Sequence, residues 1–188
     1  MRSFLVVLSL SSSAPLAAQQ SHPGPKVAVT DNSEMTAIFA ADQAARDHPT
    51  TIDWKVLWPA DEARRAQTQA LLQAGKLSSA DDFYHAAYVF QHGDEAEDCL
   101  KAHALAVVAT ARGKREATWI AAATLDRYLQ RIGQPQIYGT QFLHPPGQKW
   151  TQEPYQRDLL SDAVRQASGV PPLAAQEGQR RDWERQLP

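Results

Sequence analysis

One cysteine in 188 residues rules out an internal disulfide, so nothing covalent staples this fold. Charge of either sign is not in excess: 19 Lys and Arg stand against 21 Asp and Glu, a formal net charge of -2. That balance excludes strong, purely electrostatic attachment to nucleic acid. Beyond the first ten residues no apolar run approaches the roughly 18 residues that span a bilayer. The six histidines show neither H-E-x-x-H nor any other metal-ligand spacing, so the sequence offers no metal centre and no cofactor fingerprint. Strand patterns are missing too, with no alternation longer than Gln136-Ile137-Tyr138. What is present is a chain 43% hydrophobic and 21% charged, long enough for one domain with a real core.

The N-terminus reads as an address. Met1-Arg2 gives a short basic start, Phe4 to Leu10 an apolar core, and Ala14-Pro15-Leu16-Ala17-Ala18 a small-residue exit. This is the layout of a secretory signal peptide over residues 1–18, cleaved near Ala18, and it implies a periplasmic or secreted protein. Leu16 departs from a strict A-x-A site, and a buried N-terminal helix or strand is the competing reading. Residues 19–30, with Pro23, Gly24 and Pro25, read as a flexible tether, and residues 31–188 as a single α-helical domain. Cys99, flanked by Leu100, Ala102 and Ala104, reads as a small buried hydrophobe rather than a nucleophile.

Within that domain the pattern is all-α: a bundle or short repeat-like stack of about six to seven helices, with one long irregular loop near 134–150. Asp31, Asn32 and Ser33 offer N-caps to a first helix whose stripe is Met35, Ile38, Phe39 and Ala45. Thr50 to Trp58 reads as a connector tucking Ile52, Trp54, Leu57 and Trp58 against the core, and a second helix is expected after Pro59, closing at Gly75. Ser79 caps a third helix ending at Gly93, and Asp94 is expected to cap a fourth that buries Leu100, Ala104, Val107, Val108 and Ala111. A fifth runs from about Arg115 to Ile132. A last helix or two is expected over Tyr155 to Ala167 and Ala174 to Leu187.

Candidate functional residues are polar groups that interrupt apolar stripes. Asp126, between Leu125 and Tyr128 near the end of the fifth helix, needs a partner if buried, and Arg127 points about 100° away. Two readings stand: these residues pin the loop after Gly133 by hydrogen bonds, or they bind an anionic or amide ligand. Gln136 to Gln141 supplies two amides, a phenol, a hydroxyl and a glycine, the densest set of ligand-capable groups in the chain. His85 and His92 share a face, and Asp42 and Arg46 form an i,i+4 pair. The acidic run Asp94 to Asp98 suits a helix N-terminus without any binding role.

Five motifs occur in order: Asp42-Gln43-Ala44-Ala45-Arg46, Phe90-Gln91-His92-Gly93, Leu125-Asp126-Arg127, Pro135-Gln136-Ile137-Tyr138-Gly139-Thr140-Gln141, and Gly169-Val170-Pro171-Pro172-Leu173. From about residue 35 to 175 the chain resembles a bacterial domain-of-unknown-function family, DUF6624. The resemblance implies site residues and no particular reaction: Asp42, Arg46, His92, Asp126, Arg127, Gln136, Tyr138, Gly139, Thr140 and Gln141.

Two functions from different classes are compatible with these residues. One is a helical module binding a peptide or small polar ligand, with Asp42, Arg46, Gln136, Tyr138, Gly139, Thr140 and Gln141 as ligand-binding groups beside Asp126 and Arg127. The other is a metal-independent hydrolase or lyase in which His92 is the general base, Asp126 its orienting carboxylate, Arg127 an anion clamp and Tyr138 or Thr140 a proton donor. A buried polar network that only fixes the bundle is the alternative to both.

Overall fold

The computed structural model describes residues 29–186. The leader expected at 1–18, its cleavage near Ala18 and most of the tether lie outside the described residues, as does Leu187. Seven α-helices make up the described fold: α1 (Ser33–Ala44), α2 (Trp54–Gln73), α3 (Ala80–Phe90), α4 (Ala96–Ala111), α5 (Ala117–Arg131), α6 (Asp162–Ala167) and α7 (Leu173–Gln186). Among the described residues there is no strand, only isolated bridges at Gln136–Tyr155 and Leu143–Thr151. The fold is an all-α helical bundle. No helix in it is long and apolar enough to cross a membrane.

Local chemistry sets most helix ends. The Asn32 side chain accepts from the Met35 amide at 3.0 Å, and Ser79 and Asp82 close a reciprocal capping box around the first turn of α3. Burial alone would raise the Asp82 carboxyl, but the amides of Ser78, Ser79 and Asn32 all donate to it and hold it below the ordinary value. Gly75 and Gly133 end α2 and α5 with φ of 64° and 70°.

α3 is central, packed against α1, α2 and α4, while α4 packs against α5. The core these faces enclose includes Met35, Ile38, Leu71, Ala86, Phe90, Ala106 and Ile120. Full burial of a side chain such as Met35 or Ile120 contributes about 1.5–3 kcal/mol.

Four expectations need correction. α2 starts at Trp54, capped by Asp53, and carries Pro59 inside it, where the proline forgoes the bond an N–H would make to Lys55 O. Trp54 and Trp58 are then turned outward, 51% and 61% exposed, with only Leu57 of that set buried. Ala45 lies exposed at the end of α1, and the stripe of Met35 and Ile38 is continued inward by Asp42 instead. Residues 155–161 are not helical: Gln156 N–H donates to Gln136 O and Gln136 N–H to Pro154 O, so this stretch is tied to the loop instead.

The fourth concerns α4. Its cap residue is Glu95 rather than Asp94, whose carboxylate reaches Arg65 at 3.3 Å. Its buried face is Cys99, Ala102, Leu105, Ala106 and Ala109, and the stripe expected to be buried faces outward. Small residues decide this, because they let α4 lie close to both α3 and α5.

His85 stacks on Phe39 with ring centroids 4.2 Å apart, and its Nδ1 is buried without a partner. Burial pushes its pKa below 6.5, against the opposing pull of Asp81. A histidine whose folded pKa lies below its unfolded value of about 6.5 contributes stability above that pH, and loses it as pH falls toward the folded value. The urea midpoint should therefore drop between about pH 7 and pH 5. In His85→Phe that drop should be smaller, and an unchanged slope would discard the assignment.

Candidate functional site

Asp126 faces inward from α5, wholly buried, and its carboxylate is filled by the loop that follows the helix. Oδ1 accepts the amides of Ile137 at 2.8 Å and Tyr138 at 3.0 Å. Oδ2 accepts the Thr140 amide at 2.9 Å and the Thr140 hydroxyl at 2.8 Å. Four donors on one carboxylate make a latch. Of the two readings open for this residue, the geometry is that of pinning the loop.

The rest of the loop is held from the far side. Gln136, also wholly buried, donates to Gln141 O at 2.9 Å and accepts the Gln141 amide at 3.0 Å. Gln152 donates to Gly139 O at 2.6 Å, while Tyr155 and Gln176 donate to Tyr138 O at 2.9 and 3.0 Å. Arg165, with no exposed surface, donates to Tyr155 Oη at 3.0 Å and to the carbonyls of Leu160 and Arg157, both at 2.5 Å. Sequence reasoning missed Gln152, Gln176 and Arg165. They lie in segments of surface-like composition, and only the folded loop brings them together.

Arg127 points toward the α3–α4 joint. Its Nη1 donates to Gln91 O at 2.8 Å and its Nε to Gln141 Oε1 at 3.2 Å, both neutral acceptors. Among the described residues no carboxylate pairs with it. Burial lowers its pKa, and the like charge of Arg131 acts in the same direction. A guanidinium stays cationic under such a shift, so the result is a half-buried cation that meets two neutral acceptors and no carboxylate. Two further arginines clasp the same joint: Arg65 donates to His92 O at 3.1 Å and Arg131 to Asp94 O. Gly93 is required here, because a Cβ would overlap the Asp98 side chain.

His92 does not approach Asp126 through any hydrogen bond; the carboxylate beside it is Asp42. His92 Nε2 lies 3.5 Å from Asp42 Oδ2, buried and without a hydrogen bond. Asp42 in turn pairs with Arg46 at 3.0 Å and accepts from Gln43 at 2.8 Å. Arg46 reaches on to Asp61 at 2.6 Å, and Arg64 lies against both Asp61 and Asp42. Burial opposes ionisation of Asp61, but Arg46 and Arg64 outweigh it and hold its pKa below the ordinary value. Asp61 and Arg64 had no signal in the sequence, since an acid and a base one turn apart on a helix are usually a solvated pair.

The residues singled out in the sequence thus form two groups. Asp126, Gln136, Tyr138, Gly139, Thr140 and Gln141 are one network with Arg127 at its edge, and Asp42, Arg46 and His92 are another with Asp61 and Arg64. They meet at the Gln91–His92 backbone. The open hollow beside that joint, about 540 Å³, is lined by Lys55, Trp58, Arg65 and Asp94 among others, and by none of the residues proposed for binding or catalysis. Among the described residues no group of three or more His, Cys, Asp or Glu could hold a metal ion. Compared with family models, curated proteins and solved structures, this chain has no match.

Proposed function

We propose that this is an exported bacterial protein of the DUF6624 kind, a helical module that binds a peptide or small polar ligand carrying an anionic group at Arg127. The motif residues and the leader pattern support the family and the export; one observation supports the ligand. Arg127 is a half-buried cation whose two recorded acceptors are neutral, an arrangement that costs free energy unless an anion completes it. Asp126 and the 136–141 loop hold the guanidinium's surroundings in place, with Gln141 Oε1 fixing one edge. Binding sites are often held at the expense of stability, and a half-buried cation with only neutral acceptors fits that pattern.

The test is titration calorimetry with inorganic phosphate, succinate and an acidic tripeptide, on wild type and Arg127→Gln. At least one probe should bind wild type and lose about tenfold or more in the variant, the cost of one charge-assisted contact. Arg127→Gln should unfold in urea within about 1 kcal/mol of wild type, because an unpaired, half-buried charge is removed along with its hydrogen bonds. No heat from any anion, or equal heats in both proteins, would refute the reading.

Hydrolase or lyase chemistry with His92 as general base is a second reading, now with Asp42 in the orienting role first given to Asp126. The 3.5 Å approach of Nε2 to a buried carboxylate is what favours it. It requires turnover that disappears in His92→Gln while anion binding persists.

A further inference from the structure

The outward face of α4 carries Leu100, Ala104, Val107, Val108 and Ala111, at i, i+4, i+7, i+8 and i+11. Leu100, Val107 and Val108 are 41%, 47% and 36% exposed, and both alanines are exposed as well. This is a continuous apolar stripe along a 16-residue helix whose other side is already buried. The polar side chains nearby leave it clear. Lys101 is drawn away to Gln69 at 2.9 Å and lies over the Phe90 ring, and His103 turns inward to Ala121 O at 2.9 Å.

We propose that this stripe is the interface of a twofold dimer, in which α4 packs antiparallel against α4 of a second copy and the axes cross between Ala104 and Val107. Three observations select a second copy as the occupant. Leu100, Ala104, Val107 and Ala111 are symmetric about the point midway between Ala104 and Val107, so Leu100 of one chain faces the partner's Ala111, Ala104 faces the partner's Val107, and the twofold repeats both contacts. Ala104 beside the crossing point leaves room for the partner's Val107 and for close approach of the two axes. The charges at its ends are complementary only in the antiparallel sense. Glu97 is exposed at the N-terminal end, and Arg115 is exposed just past the C-terminal end; neither has an ion pair among the described residues. Arg112, between them and the stripe, is already occupied by Ser78 O and the Phe83 ring. Antiparallel pairing sets Glu97 near the partner's Arg115 at both ends and opposes the two helix dipoles, whereas a parallel pair would set like against like. This proposal is independent of the ligand reading.

Sedimentation equilibrium of the full chain from about 1 to 100 µM should show twice the chain mass at the upper end. Val107→Lys should weaken association by about tenfold or more, since a buried apolar position at an interface centre would receive a charge. Glu97→Arg should weaken it by less, and Glu97→Arg combined with Arg115→Glu should restore it. All three sites are exposed in the single chain, so circular dichroism and thermal melting at low concentration should match wild type. A single chain mass at every concentration overturns the proposal, including the case in which a lipid surface or another protein covers the stripe. So does a dimer indifferent to Val107→Lys. Failure of the charge exchange to restore association overturns the antiparallel register.

Discussion

Asp126→Ala should lose about 3–5 kcal/mol in urea unfolding, the largest effect of any single polar substitution in this chain. The carboxylate accepts four hydrogen bonds from three loop residues, and alanine leaves three backbone amides and a hydroxyl buried around an empty position. Asp126→Asn separates charge from shape: its amide would turn two hydrogens toward groups that themselves donate, so it should lose more than half of the alanine effect. Arg127→Gln, one residue away, should be near neutral. A ratio near one between the Asp126 and Arg127 losses would show that the latch does not carry the loop.

Gly139→Ala should be almost as damaging, at about 3 kcal/mol or more. Gly139 has φ of 84°, where an L side chain is strained, and the loop passes so close to its support that a Cβ has no space. It would overlap Gln176 Oε1 and stand 2.6 Å from Tyr155 Cζ. Both neighbours hold Tyr138 O, so relief of the clash breaks their bonds as well. Hydrogen exchange can localise the loss: amides of 136–143 should exchange faster, while those of α3 and α4 keep their protection. Uniform loss across the bundle would show that the glycine acts through the whole fold rather than through the loop.

The sequence reveals local signals well. Asn32 and Ser79 cap helices and Gly75 and Gly133 end them, because these choices depend on neighbours three or four residues away. Asp126 and its loop were also legible, being 11 to 14 residues apart with one glycine stop between them. Three features were hidden for different reasons. α4 carries two apolar faces, and side-chain size pointed to the larger one, whereas close packing uses the smaller. Pro59 looked like a start signal but lies inside α2, whose start is set by the Asp53 cap instead. Asp42 and His92 are 50 residues apart, and nothing in either segment names the other; only the packing of α1 against α3 brings that pair together.

The segment from Gln134 onward is built unlike the bundle it rests on. Its fully buried large side chains are Gln136, Gln152, Arg165 and Gln176, and its interior is stitched mainly by amides and a guanidinium. Opening such a unit exposes polar surface, which lowers heat capacity, rather than the hydrocarbon that raises it. Its stability should therefore vary little with temperature compared with that of α1–α5, and should respond most sharply to whatever competes for hydrogen bonds. The molecule should then carry two thermal characters in one chain: a bundle that weakens on cooling as hydrophobic cohesion fades, and a polar cap that responds less.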